Sequence, residues 1–170
     1  MRPAEILLLV FFPSLMAFAA ASDLFTMTIP NRVSVLLLAG FAVMAGVVGM
    51  PLNMIGMHLL AGAVVFAVCF VFFACGWMGG GDAKLATATA VWIGWSNLLQ
   101  YAALAALLGG LLTLGLLMAR KYPIPPHIGY WPWLERLHKP DTGIPYGIAL
   151  AAAGLLMFPN IEIWRAVVGV

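Results

Sequence analysis

The chain has 170 residues, of which 64% are hydrophobic and only 8% are charged. Soluble domains carry about 25% charged residues, so this composition excludes an ordinary soluble enzyme and predicts a polytopic membrane protein. The formal net charge of +2 is too small to indicate a nucleic-acid partner, and the distribution of the charges is more informative than their sum.

The first segment, "MRPAEILLLVFFPSLMAFAAAS", has the basic start, apolar core and small C-terminal residues of a secretory signal peptide. However, Glu5 follows Arg2 closely and offsets its positive charge. A membrane bundle can also use such a segment as its first helix. We therefore expect the segment to be retained, with a first span over residues 5–21.

The polar turn at 22–32 is followed by a stretch from Val33 to Gly81 without a charged residue. That stretch is too long for one span. The sequence "MPLNM", with its Pro and Asn, is the natural break. It predicts a second span over 33–50 and a third over 57–77.

The few polar or reactive groups in this stretch are expected to be structural. His58 has no partner at ligand spacing, so it is interpreted as a polar group near the outer interface. Cys69 and Cys75 form no CxxC pair and are expected to be small buried side chains.

A second stretch without charge, 85–119, would be about 52 Å long as one helix, whereas the apolar core of a bilayer is about 30 Å thick. The sequence "GWSNLLQ" is the best breaking point. It predicts a short fourth span over 84–95 and a fifth over 98–119.

A polar, proline-rich loop is predicted over 120–143, and its aromatic residues at 130–133 are typical of a membrane interface. The last span is predicted over 144–161. The expected fold is therefore an all-α membrane protein, a bundle of about six transmembrane helices in a single domain covering residues 1–170.

The basic residues support this count of spans. In a six-span chain, the turn at 22–32, the turn at 79–84 and the loop at 120–143 share one side of the membrane. That side then carries six basic residues, against Arg2 and Arg165 on the other: Arg32, Lys84, Arg120, Lys121, Arg136 and Lys139. By the positive-inside rule, the basic side is cytoplasmic.

Two carboxyl groups, Asp23 and Asp82, lie at the ends of predicted spans. Two spans separate them, so both fall on the same side of the membrane. Two aspartates that share a proton act as acid and base, as in aspartic proteases, without a metal. Gly79, Gly80 and Gly81 are expected to let the backbone approach a peptide substrate closely and to permit positive φ. Lys84 is expected to favour an anionic carboxylate.

Plainer interpretations of the same residues remain open. Asp82 can cap a helix and Asp23 can be a solvated side chain. A glycine-interrupted helix with an aspartate is also typical of an ion site in a transporter, although both aspartates fall near span ends. Asn31 either caps the second span, which we favour, or forms a hydrogen bond near Asp23.

Three segments resemble known peptidases. "GGGD" at 79–82, followed by "AKL", is similar to the GxGD motif of integral-membrane aspartic peptidases. "DLFTMTIPNR" at 23–32 resembles the segment after the first span of type IV prepilin peptidases, and "PYGIALAAAG" at 145–154 resembles the start of their last span. The resemblance is closest to the short class that serves Flp/Tad-type pili.

This resemblance implies that Asp23 and Asp82 are catalytic, with no metal and no cofactor. It implies a prepilin substrate, whose short basic leader is cut after a glycine on the cytoplasmic side of a bacterial inner membrane. Apolar grooves between spans are expected, because a prepilin continues from its leader into a hydrophobic helix. The cytosolic domain with CxxC pairs that longer members carry has no counterpart in this sequence, so N-methyltransferase activity is not expected.

Two alternatives remain. The first is a preflagellin-type peptidase with the same chemistry. The second is a small transporter or secretion-assembly subunit without enzymatic activity.

Overall fold

A computed structural model describes residues 3–123 and 131–169 of the protein. All regular structure in these ranges is helical. The α-helices in chain order are α1 (Pro3–Thr26), α2 (Asn31–Val47), α3 (Leu52–Ala74), α4 (Gly80–Ile93), α5 (Leu98–Ala119), α6 (Pro132–His138), α7 (Tyr146–Met157) and α8 (Glu162–Val168). Short 3-10 turns precede α5 and α8 at Trp95–Asn97 and Phe158–Asn160.

The predicted all-α bundle of about six membrane helices is confirmed. The helices α1 to α5 and α7 pack together in this bundle, with the short helix α4 among them. Within the described ranges, four helical segments are long and apolar enough to cross a membrane: Ile6–Thr26, Leu52–Ala74, Trp95–Ala119 and Tyr146–Val168. The helix Asn31–Val47 is apolar but shorter.

The first helix extends beyond its predicted end, and this changes the setting of Asp23. The predicted span stopped at residue 21, but α1 continues to Thr26, so Asp23 lies in its last turn. Thr26 Oγ1 donates to the Ser22 carbonyl at 2.7 Å, and Met27, with φ of 56°, ends the helix. A non-glycine residue with positive φ is uncommon and marks this turn as strained.

The second half of the chain also differs from the prediction. The loop at 120–143 contains the short helix α6, which begins at Pro132 because proline is well suited to the first helical position. The predicted last span is divided, since α7 ends at Met157 and a turn containing Pro159 precedes α8. Tyr130, one of the aromatic residues at 130–133, lies outside the described residues.

Helix α4 is the innermost element, and it packs against α2, α3 and α7. Most of its side chains are buried, and Trp92 is completely buried. The Trp92 ring lies 5.1 Å from that of Phe12 and 6.0 Å from that of Phe41, measured between ring centroids. Its Nε1–H donates to the Leu37 carbonyl at 2.8 Å. This indole therefore joins α1, α2 and α4 in one core.

One expectation for α3 is corrected. His58 is 1% exposed inside the bundle, with Nδ1 2.7 Å from Val91 O and Nε2 3.0 Å from the Glu162 carboxylate, and its place near the outer interface stays a prediction. Cys69 is buried as predicted. The prediction for Cys75 is wrong, because this residue follows the end of α3 and is exposed.

We predict that Trp92→Ala lowers the free energy of unfolding by about 3–5 kcal/mol, because the lost indole leaves a cavity where three helices meet. Thermal or denaturant unfolding of the protein in detergent measures the change. Trp77→Ala is the matched control, since that indole is 76% exposed and its removal should change stability by less than about 0.5 kcal/mol. Equal losses for the two variants would contradict a central position for α4.

Candidate active site

The turn between α1 and α2 positions Asp23 and is held by short-range hydrogen bonds. Ser22 Oγ donates to the Thr28 carbonyl at 2.8 Å, and the hydroxyls of Thr26 and Thr28 are 2.7 Å apart. Small hydroxyl side chains stabilise turns by bonding to nearby backbone groups in this way. The turn therefore fixes the end of α1 and directs the buried Asp23 carboxyl, only 5% exposed, into the bundle.

The first turn of α7 contributes the hydrogen-bond donor to this carboxyl. The backbone N–H of Gly147 donates to Asp23 Oδ2 at 2.7 Å. The first N–H groups of a helix have no partner within the helix, so they are suited to hold a carboxylate. A Cβ at position 147 would lie 2.8 Å from Asp23 Oδ2 and 2.6 Å from Ile29 Cδ1. Only glycine fits without displacing one of these groups.

Asp82 lies in the first turn of α4, a helix that begins at Gly80 and has Gly79 at its N-cap position. Asp82 is therefore not the N-cap residue. Its side chain is half-buried, and Oδ1 is fully buried without a hydrogen-bond partner among the described residues. An unpaired buried carboxyl oxygen is costly, and a catalytic role is one of the explanations for such a group in a native structure.

The two carboxyl groups share one pocket of about 290 Å³, which is lined by the turn after α1 and the start of α4. Burial is the main cause that raises the pKa of Asp82 to about 7, and the charge of Asp23 is the second. Hydrogen bonds from the N–H groups of Gly147 and Gly79 lower this pKa in part. Two carboxyl groups in such proximity do not both ionise readily. The site therefore retains a proton near neutral pH.

The three glycines before Asp82 do not adopt the positive φ that was expected of them. Gly79 has φ of −70°, and Gly80 and Gly81 also lie outside the left-handed region. The expected positive φ is found instead at Gly76. A Cβ at position 81 would lie 3.2 Å from Ile29 Cβ and 3.3 Å from Ile29 N. This glycine permits α4 to start against the backbone of the turn that carries Asp23.

Lys84 and Asn31 contact each other at the rim of the site. Lys84 Nζ donates to Asn31 Oδ1 at 2.9 Å, and both side chains are exposed. The preferred interpretation of Asn31 as a helix cap is wrong, because α2 begins at Asn31 itself, Pro30 occupies the cap position, and no side-chain cap bond forms. The Lys84–Asn31 bond instead connects the starts of α2 and α4.

A larger pocket of about 760 Å³ opens on the other side of Asp82, and Arg120 lies on its wall. Arg120 Nε donates to the Leu137 carbonyl and Nη2 to the Thr142 carbonyl, both at 2.8 Å. The guanidinium therefore holds the segment that follows α6 beside the pocket. The sequence identifies Arg120 only as one of the basic residues that set the topology, because its partners Leu137 and Thr142 are remote along the chain.

The described residues contain no group of three His, Cys, Asp or Glu side chains positioned to hold a metal.

The molecule is a helical membrane bundle with two carboxyls in one pocket. The model of the type IV leader peptidase family matches residues 10–114, and the chain belongs to this family. Membership implies aspartic peptidase activity and suggests prepilin substrates. Searches of curated proteins and of solved structures found no match.

The matched residues include both aspartates but end before Gly147. We predict that Gly147→Ala lowers peptidase activity by about 100-fold. The added methyl displaces the carboxyl of Asp23, the candidate catalytic residue, and a shift of about 1 Å has that effect on a reacting group. Cleavage of a leader-bearing substrate, followed on a gel, measures the loss. Gly115→Ala is the control, since a Cβ there meets nothing within 4 Å. Near-normal activity of Gly147→Ala would show that this glycine is not required at the site.

Proposed function

We propose that the protein is a membrane aspartic endopeptidase that removes the short basic leader of prepilins, with Asp23 and Asp82 as its catalytic residues. One observation carries the proposal: the two carboxyls line a single pocket, where burial and the Asp23 charge raise the pKa of Asp82 to about 7. Such a pair holds one proton and one negative charge at the pH of the cytoplasm.

The mechanism follows from the shared proton. The ionised carboxylate removes a proton from a water molecule, and the oxygen of that water attacks the carbonyl carbon of the scissile peptide bond. The protonated carboxyl donates to the carbonyl oxygen as it becomes tetrahedral. When the C–N bond breaks, the proton taken from water passes to the departing nitrogen. A hydroxyl of the tetrahedral intermediate returns its proton to the other carboxylate as the C=O bond re-forms, so the pair again holds one proton.

Gly147 and the glycines at 79–81 support this chemistry by position. The Gly147 N–H fixes one oxygen of Asp23 at 2.7 Å. The buried, unpartnered Oδ1 of Asp82 is available to a proton shared with Asp23. Lys84 and Asn31 lie outside the reacting groups, and we propose that they keep the starts of α2 and α4 in register.

The charged side chains favour a cytoplasmic active site. Arg120 lines the pocket with Asp82, Lys84 contacts the start of α2, and Arg136 donates to the Phe25 carbonyl near the end of α1. These cations therefore surround the end of the bundle that carries the aspartates. By the positive-inside rule, that end faces the cytoplasm of a bacterial inner membrane. The resemblance of the motifs favours the Flp/Tad class of prepilins as substrates.

Asp23→Asn and Asp82→Asn should each abolish leader cleavage, because an amide neither accepts the proton of the water nor supplies one to the leaving nitrogen. The double variant should be no worse than either single variant, since the residues act as one unit. Asp23→Glu should lose about 100-fold, because an added methylene displaces the carboxylate. The assay is the gel shift of a prepilin incubated with membranes, and Western blotting verifies equal amounts of enzyme.

The matched control for this series is Asp141→Asn, because Asp141 is exposed in the segment after α6. Its cleavage rate should stay close to that of the wild type. If Asp82→Asn still processed prepilin at the wild-type rate, Asp82 would be a structural residue and the peptidase mechanism would be wrong. That result would favour the alternative of a non-enzymatic transporter or assembly subunit.

The dependence of cleavage on pH provides a separate test. A raised pKa means that Asp82 keeps its proton up to about pH 7, so the acid of the pair is present below that value and is lost above it. We predict that kcat falls about tenfold per pH unit on the alkaline side of this pKa. Stopped assays in buffers of constant ionic strength measure the profile. A rate that stays constant well into the alkaline range would contradict a shared-proton mechanism.

A further inference from the structure

A long apolar cleft opens between α3 and α5 on the outside of the bundle. Helix α3 packs on α4, and α5 packs on α7, so the two outer helices leave between them a cleft of about 600 Å³. Of the residues of α5, only Tyr101 and Gly109 are buried. Leu99, on the edge of the cleft, is 81% exposed. The protein itself therefore leaves this face of α5 uncovered.

The cleft has walls that suit a helix. On α3 it extends from Val64 to Phe72, a distance of about 12 Å at 1.5 Å per residue. Four small residues on α4 and α5 also line the cleft, namely Ala86, Ala102, Ala105 and Ala106. Small side chains allow helix backbones to approach closely within a membrane, where packing rather than water drives association.

The cleft is continuous with the active site. Phe72, Met78 and Tyr146 line both the cleft and the larger pocket that contains Asp82. Tyr146 is held at this junction, because its hydroxyl lies 3.1 Å from Thr113 Oγ1 on α5. The cleft therefore adjoins the pocket beside Asp82, on the side where a chain cut there would leave the site.

We propose that this cleft binds the apolar helix that follows the cleaved bond in the substrate. This inference rests on the proposed function. Acyl chains of lipids are the competing occupants. A substrate helix whose leader is already bound at the aspartates competes better than lipid for the cleft. Its binding there is intramolecular and therefore takes place at a high effective concentration. The cleft then selects substrates in which an apolar helix follows the leader.

Two neighbouring alanines of α5 provide the test. Ala102 and Ala103 are both exposed, but only Ala102 lines the cleft. The enzyme is reconstituted in lipid vesicles and given two substrates with the same basic leader and glycine. The long substrate continues into about 20 apolar residues, and the short one stops a few residues after the glycine. The measured quantity is kcat/KM for the long substrate divided by kcat/KM for the short one.

We expect Ala102→Trp to lower this ratio about tenfold, because the indole fills space that the substrate helix needs. Ala103→Trp should leave the ratio unchanged. If Ala102→Trp left the ratio unchanged, the proposed docking site would be wrong. The proposed function would still stand in that case, provided that the wild-type enzyme cleaves the substrates. Wild-type enzyme that cleaves neither substrate would overturn the proposed function, and the docking site with it.

Cross-linking identifies the occupant directly. A photoreactive amino acid replaces Leu99 in the Asp82→Asn background, which holds the long substrate uncleaved. The control position is Leu107, which is 60% exposed on α5 but does not line the cleft. An adduct with the long substrate from position 99, and not from position 107, supports the proposal. Adducts with lipid alone at position 99 would overturn it.

Discussion

The hydrogen bond from the Gly147 N–H to Asp23 Oδ2 is the contact on which the arrangement of the site depends. It joins the last turn of α1 to the first turn of α7, and α1 and α7 pack extensively along their length. Because Gly147 has no side chain, the start of α7 approaches close enough for its free N–H to reach a buried carboxyl. The bond compensates part of the cost of burying Asp23, since charge-assisted hydrogen bonds are about twice as strong as neutral ones.

The short length of α4 completes the site. With residues from Gly80 to Ile93, it is about 20 Å long, less than the roughly 30 Å of a bilayer core. Its first turn therefore lies against the buried turn at Ile29 instead of extending into solvent. The interaction of the core Trp92 with α1 and α2 sets the other end of the helix. Burial of Asp82 thus follows from the packing of α4 and does not require a partner cation.

Much of this organisation was predictable from the sequence, because it depends on hydropathy and charge. Continuous apolar stretches located the spans, and span parity placed Asp23 and Asp82 at one end of the bundle. The roles of Gly147, Arg120 and Gly81 were not predictable, since each depends on a contact with a distant segment. The burial of His58 is a similar case, because its partner Glu162 is remote in sequence. Local patterns indicate where a helix begins, but they do not indicate which backbone lies beside it.

The position of α5 suggests why a stable bundle retains an open face. One side of α5 is fixed to α7, where the Tyr146 ring packs on Gly109 and its hydroxyl meets Thr113. The other side faces the cleft and has little buried surface. In a membrane, an exposed apolar face contacts lipid and not water. Leaving it unpacked therefore loses only dispersion contacts with other parts of the protein. In the docking mode proposed above, a substrate helix would restore those contacts, and its release after cleavage would return the face to lipid. Tight closure of α3 on α5 would stabilise the fold further but would remove the lateral path to the site.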